Sequence, residues 1–275
     1  MTPEDRELAA QICASRAGLL VDPEKAYFIE SRLAPVARRE GFGSVDDMLG
    51  DLRLKRDDRL AWSIVEALAA GETAFYRDRR PFALFETEIL PTLARMRGGE
   101  PIRIWSAACG SGQEIYSLAM TVEDMRGQIP GAKIELFASD LSERALEKAQ
   151  SGLYTQFEVQ RGLPIGHLVR HFEKAEEMWV LSPRIRQMVR WRRINLIADL
   201  STAGRFDVIF CRYVLAGLTP QMKPRLIENL ARALSPDGFL VLGEGESVAG
   251  VSDAFQAVTG RPGLYARNPA FRAAA

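Results

Sequence analysis

Residues 105–114 read Trp-Ser-Ala-Ala-Cys-Gly-Ser-Gly-Gln-Glu, a run of small residues and glycines with a carboxylate at its end. Before it, Ile102-Arg103-Ile104-Trp105 has the apolar and aromatic content of a strand; after it, Ile115-Tyr116-Ser117-Leu118-Ala119-Met120 continues as an apolar helix. Glycines in a strand-to-helix turn let backbone approach a ligand closely, at the sheet edge where open α/β proteins bind nucleotide-like molecules. The dinucleotide pattern G-x-G-x-x-G is not completed, because Gly110-Ser111-Gly112 is followed by Gln113-Glu114-Ile115, and the Glu114 carboxylate would repel a pyrophosphate.

A ligand without phosphate and with positive charge suits that carboxylate better. S-adenosylmethionine has a sulfonium, an amino group and a ribose diol, and a carboxylate to accept from the diol stands at Asp140, where Ile-Glu-Leu-Phe-Ala-Ser-Asp ends the next apolar run. Glycines after a strand also serve plain turns, and an Asp opening Ser-Asp-Leu-Ser-Glu-Arg also caps helices. The ordered pair favours a class I S-adenosylmethionine-dependent methyltransferase domain.

Other chemistries lack residues. Cys13, Cys109 and Cys211 are widely spaced, which fits reduced buried thiols and neither a zinc framework nor disulfides. His167 and His171 are four apart and can share a helix face, but no third ligand lies near them in sequence, so no metal is expected. Neither histidine accompanies a nucleophile-elbow sequence, which argues against triad hydrolysis.

These residues need a scaffold. A chain of 275 residues with 47% hydrophobic and 26% charged content can bury one large domain and a smaller one. Lys+Arg and Asp+Glu both number 36, so no net field attracts nucleic acid. The charged start Met-Thr-Pro-Glu-Asp-Arg and the absence of an apolar run of about 20 residues predict a cytoplasmic protein with no direct membrane insertion.

Helical periodicity dominates up to about residue 95. Thr2-Pro3-Glu4-Asp5 predicts a capped first turn, with Leu8, Ile12 and Cys13 as apolar positions. A second helix has Phe28, Ile29, Leu33 and Val36 as its inner face, with Pro35 as a kink or an end. Further helices are predicted in Ser-Val-Asp-Asp-Met-Leu-Gly-Asp-Leu, over residues 58–70 and over residues 81–96.

Strands then alternate with helices at 102–106, 134–139, 189–192, 206–211 and 239–242, closing in a hairpin at 255–265 that turns on Gly260-Arg261-Pro262-Gly263. The irregular stretch at about 152–188 reads as an insert. The expected fold class is α/β: a doubly wound, mostly parallel seven-stranded sheet over residues 86–275 with a small antiparallel β insert, after an all-α domain over residues 1–85.

The ordered motifs carry a more specific resemblance. Thr73-Ala74-Phe75-Tyr76-Arg77, Trp105-Ser106 through Gly112-Gln113-Glu114-Ile115-Tyr116-Ser117-Leu118-Ala119, Ala138-Ser139-Asp140, Gly152-Leu153-Tyr154, Asn195-Leu196 and Phe206 to Arg212 follow one another in this order. Together they resemble the CheR-type chemoreceptor glutamate O-methyltransferases over nearly the whole chain. The resemblance implies methyl transfer from S-adenosylmethionine to glutamate side chains on the cytoplasmic helical domain of chemoreceptors, the methyl-accepting proteins, with S-adenosylhomocysteine as product.

It also implies site roles. Thr73, Arg77, Ala108, Gly110, Gly112, Glu114, Asp140, Asn195, Leu196, Cys211 and Arg212 would line the cofactor, with Asp140 toward the ribose and Asn195 and Leu196 toward the adenine. Arg77 and Tyr213 would be catalytic. In the family pattern C-R-N-V-L-I-Y-F, this chain has Tyr213 for the asparagine and Gly217 for the tyrosine. Two other readings therefore stay open: a non-catalytic cofactor-binding adaptor, and a methyltransferase for another acceptor.

The helical domain is where the family docks its acceptor. Lys25, Arg32 and Arg39 recur every seven residues and Arg38 adjoins them, a basic stripe suited to an acidic receptor helix; the alternative is a solvated face paired with Glu24, Glu30 and Glu40. In the insert, Phe172-Glu173-Lys174-Ala175-Glu176-Glu177-Met178 contains no glycine, so no C-terminal receptor tether is expected. No oligomerisation signal is evident, and a monomer is expected.

Overall fold

The protein is described here by a computed structural model covering residues 1–271. Its chain forms two compact units, Met1–Gly71 with Val214–Leu226, and Glu72–Tyr213 with Ile227–Ala275. The boundary therefore falls at Gly71, ahead of the expected residue 85, because Phe75 and Tyr76 are buried with Phe82 and Phe85 in the core of the second unit.

The first unit is helical: α1 (Pro3–Ala17), α2 (Ala26–Arg39), α3 (Val45–Lys55) and α4 (Asp58–Ala69). The cap of α1 is reciprocal, with the Thr2 hydroxyl accepting from the Asp5 N–H and the Asp5 carboxylate accepting from the Thr2 N–H. Cys13 is buried as expected, whereas Leu8 and Ile12 are half-buried and Ala9 and Ala10 fill the interior instead. On α2, Ile29, Leu33, Val36 and Ala37 form the buried face, and Phe28 lies outside it at 39% exposure. Pro35 does not end this helix. It is exposed, as is Ser31 one turn earlier, so the carbonyl that loses its i+4 donor can turn to water. The late segment joins this unit through backbone bonds from the Leu20 N–H to the Gly217 carbonyl and from the Thr219 N–H to the Gly18 carbonyl, each 2.8 Å.

In the second unit the strands are β1 (Pro101–Ala107), β2 (Lys133–Asp140), β3 (Leu153–Thr155), β4 (Phe172–Ala175), β5 (Met178–Leu181), β6 (Val189–Arg193), β7 (Phe206–Phe210), β8 (Leu234–Val241), β9 (Phe255–Ala257) and β10 (Leu264–Arg267). Seven of them make one sheet in the order β6-β2-β1-β7-β8-β10-β9, parallel except for β10, which runs antiparallel to both neighbours. This is the mostly parallel seven-stranded class I methyltransferase sheet. Strand β8 begins earlier than the apolar run implied, because Leu234 pairs with Phe206 and a register shift accommodates the Ser235-Pro236-Asp237-Gly238 stretch before Phe239 meets Val208.

Chain order decides where a ligand can go. The sheet starts at β1, grows outward through β2 and β6, and then restarts on the other side of β1 with β7. Connections leaving β1 and β7 thus diverge, opening a crevice at their carboxyl ends. The insert expected at 152–188 is a three-stranded antiparallel sheet, β3-β5-β4, whose Glu176-Glu177 turn places Glu176 at φ 54°. No helix among the described residues is long and apolar enough to cross a membrane.

Candidate functional site

The turn after β1 is held from several directions. Ala108, Gly110 and Gly112 all take positive φ, at 60°, 56° and 93°. The Cys109 N–H donates to the Ser139 carbonyl (2.9 Å) and the Gly110 N–H to an Asp140 carboxylate oxygen (2.8 Å), so the end of β2 fixes the turn. A Cβ on Gly112 would lie 2.8 Å from the Ala149 Cβ and 3.2 Å from the Tyr154 hydroxyl, and one on Gly110 would lie 3.3 Å from the Thr73 methyl. Glycine is required at 112 for both its dihedral and its space.

Tyr154, from the insert, is fully buried and donates its hydroxyl to the Ser111 carbonyl at 2.8 Å. Burial pushes this phenol well above its ordinary range, so it is a permanent donor.

Beneath the turn lies a chain of charges. Glu114 accepts from the Ser106 hydroxyl (2.7 Å) and from Arg212 (2.9 Å). The other terminal nitrogen of Arg212 donates to Asp78 (2.5 Å) and to the Arg77 carbonyl (2.8 Å). Burial alone would disfavour the Arg212 charge, yet the Glu114 and Asp78 carboxylates outweigh it and raise the pKa further. The Arg212 Nε–H is buried and has no hydrogen-bond partner, one donor left over in an otherwise satisfied fork.

Asp78 also accepts from the Tyr213 hydroxyl. Burial, then this bond and the Asp78 charge, raise the Tyr213 pKa. Tyr213 takes φ 61°, a conformation that non-glycine residues avoid, and Glu246 holds it there by accepting from the N–H groups of Tyr213 (2.6 Å) and Gly243 (2.9 Å). The half-buried Arg77 lies 3.5 Å over the Tyr213 ring and donates to the Glu72 carbonyl (2.8 Å).

Of the expected residues, Arg77, Glu114, Arg212 and Tyr213 are tied with Asp78 into one chain of contacts, Gly110 and Asp140 are bonded to each other within the turn, and Thr73 stands where a Cβ on Gly110 would reach its methyl. Asn195 and Leu196 lie in the loop after β6, where the Ile194 N–H donates to the Asp140 carbonyl (3.0 Å) and Asn229 braces the Leu196 carbonyl (3.0 Å). Cys211 is fully enclosed, with its backbone N–H on the Val241 carbonyl, and burial raises its thiol pKa far above the usual value.

Lys25, Arg32, Arg38 and Arg39 belong to the first unit. Arg32 covers the Phe28 ring, Arg39 pairs with Glu40, and Lys25 stands at the N-cap position of α2 without a side-chain capping bond. Glu24 and Glu30 form no ion pair among the described residues, so the solvated-face alternative keeps only its Glu40 pairing.

Three participants escaped the sequence reading. Asp78 stands in Arg77-Asp78-Arg79-Arg80, which reads as a solvated charge run. Ser106 is a buried serine within the quoted motif. Glu246 follows Gly243-Glu244-Gly245, a glycine-bearing loop at the end of a parallel strand, which was a usable signal.

The arrangement fits S-adenosylmethionine: a glycine turn that a Cβ would obstruct, a carboxylate at the end of β2, and a buried arginine with one unused donor. Residues 71–264 match the family model described as CheR methyltransferase, SAM binding domain. A chemotaxis protein methyltransferase of Vibrio parahaemolyticus is 34% identical over 253 residues, 91% of each chain. Chemotaxis protein methyltransferase 1 of Pseudomonas aeruginosa is 33% identical over 268 residues, 96% of this chain and 97% of that one. The chemotaxis protein methyltransferase of Escherichia coli is 32% identical over 243 residues, 86% and 82% respectively. With likeness of that extent running through the turn and its network, the chain belongs to the CheR methyltransferase family, and S-adenosylmethionine is its cofactor.

Proposed function

We propose that this protein methylates glutamate side chains on the cytoplasmic helical domain of chemoreceptors, giving methyl esters. The observation that carries the reading is the Arg77–Tyr213–Asp78–Arg212–Glu114 chain, which couples the Thr73–Arg77 motif to the cofactor turn. Held by the glycine turn and Asp140, S-adenosylmethionine would supply an electrophilic methyl carbon on its sulfonium, with S-adenosylhomocysteine as the leaving group.

A glutamate of ordinary pKa, about 4.3, is already ionised at neutral pH and needs no general base. The residues must instead exclude water and align the carboxylate. Arg77 would do this: its face is covered by Tyr213, one nitrogen is anchored on the Glu72 carbonyl, and its remaining N–H edges can meet a carboxylate. Tyr213, held by Asp78 and Glu246, would supply a ring in place of the one that the family carries where this chain has Gly217.

The exposed Lys25, Arg38 and Arg39, with Arg32, would receive the acidic receptor helix. The short, acidic Glu176-Glu177 turn, without glycine, would bind no C-terminal peptide tether. In this reading the protein works as a monomer in the cytoplasm.

Calorimetric titration with S-adenosylmethionine and S-adenosylhomocysteine, followed by transfer of labelled methyl to receptor-containing membranes, tests it. Base-labile labelling that Arg77→Ala abolishes supports receptor esterification. Binding without transfer to any cognate receptor would replace this reading with a cofactor-binding adaptor, and transfer to a non-receptor acceptor would replace the substrate.

A further inference from the structure

His167 and His171 take no part in the network above, yet the fold gives them the partner their sequence neighbourhood lacks. Both project from the helix Ile165–His171, four residues apart and so on one face. Facing them is Asp124, the last residue of the helix Gln113–Asp124. The His167 Nδ1 lies 3.5 Å from one Asp124 oxygen and the His171 Nε2 lies 3.7 Å from the other; all three potential ligand atoms fall within 4.8 Å of one another.

We propose that Asp124, His167 and His171 form a binding site for a single divalent cation of the zinc class. Two imidazoles and a carboxylate are a donor set that zinc accepts, and paired histidines at i and i+4 are a recurrent way of presenting two of them. Bonds of about 2.0–2.2 Å in tetrahedral geometry separate ligand atoms by about 3.3 Å, so the present spacings need only a modest contraction.

Both nitrogens are buried and have no hydrogen-bond partner, although His171 is only 6% exposed. Such orphaned groups are costly unless something fills the gap. A pair of ion pairs with Asp124 would fill it only if the imidazoles were protonated. Burial, outweighing the pull of Asp124, lowers both pKa values. The Tyr76 ring stacks on His167 at 5.0 Å and His167 on His171 at 5.9 Å, which fixes the ring planes. Arg170 shares Asp124 and competes for its negative charge. A bound ion would fasten the insert helix to the helix that begins beside Glu114.

The test uses untagged, chelator-treated full-length protein titrated with cobalt(II) and zinc(II). One equivalent of cobalt should produce visible d–d bands without sulfur charge transfer, zinc should displace it, and zinc should raise the melting temperature by about 5 °C or more. His167→Gln, His171→Gln and Asp124→Asn should each weaken binding at least about 10-fold. Arg170→Gln, which frees the carboxylate, should tighten it. Absence of a cobalt spectrum in the unmodified protein, a sulfur charge-transfer band, or unchanged affinity in the folded double variant His167→Gln/His171→Gln would each overturn the site.

Discussion

The Arg77 guanidinium lies 3.5 Å over the Tyr213 ring, so the two side chains form one stacked unit whose other end is the Asp78 carboxylate. A cation over an aromatic face contributes about 0.5–2 kcal/mol, and the planar fork of arginine is not reproduced by lysine. Arg77→Ala should lower kcat/KM for methyl transfer by about 100-fold or more, and Arg77→Lys should restore only a minor part. Initial rates on receptor membranes check this.

Tyr213→Phe keeps the ring under Arg77 and removes the hydroxyl from Asp78. If the phenol positions Arg77 through Asp78, kcat should fall about 10-fold or more, a hydrogen bond to a charged group being worth about 1.5–3 kcal/mol, while S-adenosylhomocysteine binding stays within about 2-fold. Tyr213→Ala should approach the loss seen in Arg77→Ala. An unchanged rate in both variants would remove Tyr213 from the mechanism.

Breaking the buried pair is expected to cost stability as well as function. Arg212 and Glu114 have side chains 2% and 11% exposed, and removal of one partner leaves the other charge enclosed. Glu114→Ala and Arg212→Ala should each destabilise the second unit by about 3 kcal/mol, read as a shift of the urea midpoint.

Gly112→Ala adds a methyl 2.8 Å from the Ala149 Cβ at φ 93°. Overpacking and the left-handed backbone together should cost about 2–4 kcal/mol and weaken cofactor binding, which calorimetry and unfolding would measure on the same sample.

The thiols give a pH prediction. Burial pushes Cys13 up to about 12 and Cys109 and Cys211 well above their ordinary value of 9.0. In the unfolded chain they ionise near 9.0, while in the folded chain they keep their protons. The folded state then binds more protons, so stability falls as pH rises past about 9. Iodoacetamide at pH 8.5 should label none of the three without denaturant, as mass spectrometry would show.

Much of the second unit was legible because its strands are apolar runs punctuated by glycine, and because β7 is buried on every residue, as a central parallel strand must be. Gly110, Gly112 and Asp140 announced themselves by position in that frame. Asp78 and Asp124 did not: each is a charged residue in polar company, and its importance comes from partners 135 and 43–47 positions away. Phe28 misled because helical periodicity marks a broad apolar stripe without saying where packing stops.

The hydroxyl of Tyr154 on the Ser111 carbonyl bears on how the family can be recombined. A swapped insert has to bring a phenol to the same spot, or the recipient's 108–112 loop loses its brace. Hybrid proteins cut at the insert's own edges should therefore misfold locally at the cofactor turn, whereas hybrids that inherit residues 108–154 from one parent as a block should not.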